Sequence, residues 1–107
     1  IKDVLFLGYG GGGFSFEDKE FPKVGKKFKD LIKDHKVFFI IHGPPYNTTV
    51  DEIMEDHVGN LTMREFIEEA KPDVVVCGHL HENFGRYDVL GETYVVNPGP
   101  EGKIFEV

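Results

Sequence analysis

The sequence predicts an α/β domain with a mostly parallel inner sheet and an antiparallel C-terminal hairpin. Three observations carry that reading. The runs Val37-Phe38-Phe39-Ile40-Ile41 and Val74-Val75-Val76 have the length and the β-branched or aromatic content of covered strands. Segments with helical periodicity separate the apolar runs, and strands alternating with helices favour parallel pairing. Beyond Val76 the pattern changes to two short strand-like runs joined across a glycine.

Element by element, Val4 to Leu7 reads as a strand that runs into the glycine cluster Gly8-Tyr9-Gly10-Gly11-Gly12-Gly13. Phe14 to Phe21 reads as irregular. Pro22 suits the first turn of a helix, and Val24, Phe28, Leu31 and Ile32 then mark its apolar face, with lysines on the solvated side. After the strand Val37 to Ile41, residues 43–60 form a long connection with a helical turn expected near Glu52 to Asp56. Thr62 and Glu65 fit a capping box, which places a helix on Met63, Phe66, Ile67 and Ala70 and ends it at Pro72. Asp73 to Val76 is the next inner strand. Phe84 to Val89 and Thr93 to Val96 form the hairpin, and Lys103 to Val107 a last strand.

Composition bounds the function. The chain has 107 residues, one domain at most, with 40% hydrophobic and 29% charged residues. No apolar stretch is long enough to cross a bilayer, and the start resembles no signal peptide, so no membrane partner is expected. A single cysteine, Cys77, excludes an intrachain disulfide and points to a reducing, cytoplasmic setting; beside Val76 it reads as a buried thiol. The formal net charge of −7 argues against a broad nucleic-acid footprint. Because Ile1 already enters a strand-like segment, the chain reads as a fragment or a processed piece.

The chemistry concentrates after two strands. His42 follows Ile41, and Gly78-His79-Leu80-His81 follows the Val74 run. In extended backbone, positions i and i+2 face the same side, so His79 and His81 are expected to converge, with Gly78 supplying the sharp turn. Ligands gather at that strand edge in open α/β sheets. Three imidazoles suit Mn, Fe, Zn, Co or Ni better than Ca or Mg. His35 and His57 lie in polar surroundings and read as surface residues. The glycine cluster matches no phosphate-loop pattern and reads as a flexible loop.

Together, Ile40-Ile41-His42-Gly43-Pro44-Pro45, Gly78-His79-Leu80-His81 with Gly85 four positions on, and Asn97-Pro98-Gly99 resemble the C-terminal half of the calcineurin-like metallophosphoesterases, in their small prokaryotic branch. The order and spacing of the three motifs carry the likeness. The resemblance implies a four-layer α/β/β/α sandwich, to which residues 1–107 contribute one sheet and its helices. It implies hydrolysis of a phosphomonoester or phosphodiester by a hydroxide bridging two divalent transition-metal ions. His42 and His79 would serve the second metal and His81 the first.

The family's D-x-H, G-D-x-x-D and G-N-H-[DE] motifs do not occur here. The resemblance therefore leaves the bridging carboxylate, an asparagine ligand and the proton-donating histidine to an absent N-terminal half. No catalytic residue is assigned in this chain, which alone should hold at most one ion and be inactive. Asn97 could orient an imidazole or hold its own turn. Tyr46 and Asn47, with Phe14 and Phe16, could meet a leaving group or simply pack the loop. The expected partners are a small phosphate ester, the missing half of the fold, and a second copy of the chain through an uncovered sheet face. Two other readings stand beside this one: a non-catalytic binding module with the same fold, and a stand-alone single-metal domain.

Overall fold

The computed structural model describes residues 4–10, 15–33 and 35–100. In chain order the elements are β1 (Val4–Tyr9), α1 (Phe21–Leu31), β2 (Lys36–Ile41), a 3-10 turn at Thr49–Asp51, β3 (Glu52–Ile53), β4 (Asp56–His57), α2 (Leu61–Ala70), β5 (Val74–Val76), a second 3-10 turn at His81–Asn83, β6 (Tyr87–Leu90) and β7 (Thr93–Val96). The main sheet has the order β1-β2-β5-β7-β6. The first four strands run parallel, and β6 pairs antiparallel with β7, as the sequence predicts.

Strand period and helix period meet on one face of this sheet. Val37, Phe39 and Ile41 alternate along β2, in register with Leu5, Leu7 and Tyr9 of β1. Phe39 pairs with Val75, which pairs in turn with Val95. Against this face α1 sets Phe21, Val24 and Phe28, and α2 sets Met63, Phe66, Ile67 and Ala70. Phe39, fully buried, meets the rings of Phe21, Phe28 and Phe66 at 6.0, 6.0 and 5.1 Å. Gly25 lets the helices approach: a Cβ there would lie 3.0 Å from Phe21 and 3.1 Å from Phe66.

The apolar runs suit strands covered on both sides, and the half-sandwich reading leaves one face of the sheet without its cover. On the opposite face Phe6 (59% exposed), Ile40 (46%), Tyr87 (57%) and Val89 (54%) stand open. Register makes a continuous surface of them: Phe6 is beside Phe38, Phe38 beside Val74, Val74 beside Tyr94 and Tyr94 beside Val89. Among the described residues both helices lie on the other side.

Three local expectations need correction. The helical turn falls at Thr49–Asp51, and Glu52–His57 is instead a small antiparallel pair, β3 with β4. Thr62 is not the cap of α2. Asn60 is, its Oδ1 accepting the Met63 N–H at 3.0 Å, because Thr62 Oγ1 accepts the Asp18 N–H instead. The first hairpin strand begins at Tyr87, since Phe84 and Gly85 still belong to the turn that follows the histidines. The strand expected at Lys103–Val107 lies outside the described residues, as do Gly11 to Gly13 and Phe14. No helix among the described residues is long and apolar enough to cross a membrane.

Candidate metal centre

The three inner strands end together, and the chain leaves each of them with a polar residue close by. His42 follows β2, Cys77-Gly78-His79 follows β5, and Asn97 follows β7. Backbone bonds tie these exits to one another. The Gly78 N–H donates to His42 O at 3.0 Å, and the Cys77 N–H donates to Val96 O at 3.0 Å. The imidazoles of His42 and His79 then stand with ring centroids 4.6 Å apart, inclined by 57°. A depression of about 560 Å³ opens beside His42, with Gly8, Tyr9, Ile40, Val76 and Gly78 in its lining.

The turn is made differently from the expectation. His79, not Gly78, takes the left-handed backbone, with φ +71°. A non-glycine residue in that region costs roughly 1–3 kcal/mol and is held there by its surroundings. Leu80, 3% exposed, anchors the loop in the interior, and His81 opens a 3-10 turn. His79 and His81 are therefore not alternate residues of one extended strand. His81 is exposed and tilts against Phe84, with centroids 5.1 Å apart. It remains close enough to bear on His79, whose pKa is lowered by burial first and then by the charges that His42 and His81 would carry. At neutral pH His79 is thus held in the uncharged form a cation needs.

Asn97 is 1% exposed and holds the loop by its backbone. Its Nδ2 donates to Leu80 O at 3.0 Å, and its Oδ1 accepts the Gly99 N–H at 3.2 Å. It closes its own Asn-Pro-Gly turn and pins the residue between the two histidines. Tyr46 and Asn47 have carbonyls that accept from Arg64 Nη1, at 3.1 and 2.8 Å. The Tyr46 ring lies edge-on to Phe16 at 5.1 Å and to His57 at 6.0 Å. Asn47 has φ +62° and donates its N–H to Asp51 Oδ2. Cys77 is a buried free thiol, as expected, with its pKa pushed up to about 12 by burial and then by the Asp51 charge.

One residue that matters here, Asp51, was not singled out by the sequence, and a second, His57, was read as a surface residue. Asp51 is fully buried, and its carboxylate accepts backbone N–H groups of Asn47, Thr48 and Gly59. His57, expected on the surface, is partly buried and puts Nδ1 2.6 Å from Asp51 Oδ1. The pattern Thr48-Thr49-Val50-Asp51 is itself a Thr-x-x-acid signal, of the kind that drew attention to Thr62 instead.

Imidazole is a sound donor for a borderline cation, and His42 with His79 fit part of such a shell. Among the described residues no group of three His, Cys, Asp or Glu side chains is assembled to hold a metal. The two rings thus fit one side of a centre.

A parallel α/β sheet that gathers imidazoles at its C-terminal edge, beside an open depression, defines an α/β protein with a candidate cation centre. Residues 17–103 match the family described as metallophosphoesterase, calcineurin superfamily, and the chain belongs to that family. It is 32% identical to an uncharacterized protein of Methanocaldococcus jannaschii, MJ1162, over 94% of this chain and 50% of that protein. It is also similar to a crystal structure of a longer chain, with TM-score 0.69 and 24% identity, covering 91% of this chain and 41% of the other. The chain spans about half the length of the curated relative it matches.

Proposed function

We propose that this chain carries the histidine side of a metal-dependent phosphoesterase centre, completed by an N-terminal half in a longer protein. The observation that carries the proposal is the His42–His79 pair, 4.6 Å apart between centroids at the sheet's C-terminal edge. Membership of the metallophosphoesterase family supports it, and so does the 41–50% coverage of the matched proteins.

In this reading His42 and His79 would hold one divalent transition-metal ion, and His81 would serve a second. Bound there, the ions would supply Lewis acidity toward a phosphoryl oxygen and a hydroxide at neutral pH. The chain's own work is placement. The Gly78–His42 backbone bond sets the spacing of the two strand exits, and burial keeps His79 neutral. Tyr46 and Asn47 lie on the loop after His42, which would meet the leaving group of a small phosphate ester. No group among the described residues is assigned to protonate that leaving group. The open face of the sheet, with Phe6 and Ile40, would take the second sheet of the sandwich.

The test uses the chain alone and together with the N-terminal half of its own longer protein. Alone it should take up at most one Mn or Zn ion per chain, by calorimetry, and leave p-nitrophenyl phosphate and its bis ester intact. Mixed or co-expressed with the other half it should hydrolyse one of them, and His79→Ala should abolish that activity. Strong metal-dependent hydrolysis by the 107-residue chain alone would overturn the reading.

A further inference from the structure

Asp51 occupies an unusual place for a carboxylate. Its side chain is 0% exposed, and burying a charge is costly unless every lone pair is answered. Here Oδ2 accepts the N–H groups of Asn47 and Gly59, and Oδ1 accepts the Thr48 N–H and meets His57 Nδ1.

What Asp51 joins is more informative than how it is satisfied. On one side its carboxylate fixes Gly59, which lies so tightly on the His42 loop that a Cβ would sit 2.6 Å from Pro44 O and 2.7 Å from Pro45 O. The Asn60 N–H also donates to Pro44 O. On the other side the carbonyls of Val50 and Glu52, the two neighbours of Asp51 in the chain, both accept from Asn83 Nδ2, at 2.9 and 3.0 Å. Asn83 closes the 3-10 turn that His81 opens. The Asp51 segment therefore stands between the two histidine-bearing segments, bonded to one through its carboxylate and to the other through the carbonyls of Val50 and Glu52.

We propose that Asp51 and His57 are a positioning pair, a strut that fixes the separation between the loop carrying His42 and the turn carrying His79 and His81. Its consequence for a cation rests on the phosphoesterase reading; the strut itself does not.

The groups facing His57 make this strut sensitive to pH. Asp51 meets Nδ1, the Glu52 carboxylate lies 4.0 Å from Nε2, and the Tyr46 ring flanks the imidazole. Arg86 faces Glu52 from the other side at 3.7 Å. The hydrogen bond to Asp51 holds the His57 pKa above its ordinary value against the opposing effect of burial, aided by the charges of Asp51 and Glu52. With the folded value raised, the ionic part of the grip is complete below the ordinary imidazole range. It is lost as pH rises through the raised value.

The experiment follows wild-type protein by NMR from slightly acidic to alkaline pH, without metal. The His57 ring should titrate above the ordinary imidazole range. The Gly59 amide, on the strut, and the Gly78 amide, bonded to His42 O, should shift with the same midpoint. In His57→Gln, which keeps an N–H for Asp51 but no charge, both shifts should vanish from that window. Co(II) affinity, read by absorbance, should drop about tenfold in His57→Ala and largely recover in His57→Gln, the scale typical of groups that orient ligands. An ordinary His57 titration, or a Gly78 amide that ignores it, overturns the strut whether or not metal binds. If His57→Ala does not fold, the wild-type and His57→Gln titrations decide. If wild type binds no cobalt while both amides still follow His57, the strut stands and its consequence for a cation in this chain falls.

Discussion

His79 carries two costs at once, a left-handed backbone at φ +71° and a ring partly removed from water beside two other imidazoles. Neither serves packing, because a glycine would relieve the first and a polar surface residue would avoid the second. Their coincidence at one residue fits a side chain held for what it binds. A test separates the two costs. His79→Gly should fold more stably than His79→Ala by about 1 kcal/mol, since only glycine is free of the penalty at positive φ. Both should lose cation binding, and chemical denaturation compares them directly. Equal stabilities would mean that the loop relaxes once the imidazole is gone. The wild-type pH dependence follows from the lowered His79 pKa: its contribution to stability is complete above the ordinary imidazole value and is lost as pH falls toward the folded value. Added metal should steepen that acid limb, because protonated imidazole cannot bind.

At the scale of elements, α2 shows how local signals compete. Both Asn60 and Thr62 can cap a helix, and the sequence alone favours Thr62 because Glu65 lies three positions on. Tertiary structure decides for Asn60. Its backbone is already fixed by the bonds from Asn60 N–H to Pro44 O and from Tyr46 N–H to Asn60 O, while Thr62 is drawn to Asp18. Asn60→Ala should therefore cost about 1–2 kcal/mol, from the lost cap and the lost bond to Ser15 O. Thermal denaturation of Asn60→Ala and of Glu65→Ala gives the comparison. A larger loss in Glu65→Ala would restore the capping box at Thr62. The helical periodicities of α1 and α2 were legible because apolar spacing is a local property; Leu31, which shares the spacing, is 54% exposed because α1 ends there.

At the scale of the whole molecule, the sheet is finished on one side only among the described residues. The helical face holds Phe39 fully buried, whereas Phe6, Ile40, Tyr87 and Val89 present a row of apolar side chains. A surface of that kind promotes association. The isolated chain should self-associate with rising concentration in sedimentation velocity. Phe6→Ser with Ile40→Thr should shift it toward monomer with little loss of fold by circular dichroism, because both side chains are already exposed. A wild-type chain that stays monomeric throughout would show that the open face does not drive association.

The sequence by itself determined the class of fold, the parallel inner strands with their antiparallel hairpin, and the family, through three short motifs in order. Those features are written in local periodicity and in residues whose spacing along the chain is also their spacing in the motif. Only the tertiary structure decided that His79 and not Gly78 makes the turn, and that His57 grips a buried Asp51. The physical reason is that decisive partners, such as Asn83 with the Val50 and Glu52 carbonyls or Gly78 with the His42 carbonyl, meet across segments far apart in sequence. The donors of Asp51 are its near neighbours in the chain, but that its carboxylate is buried among them follows from packing, which spacing along the chain does not record.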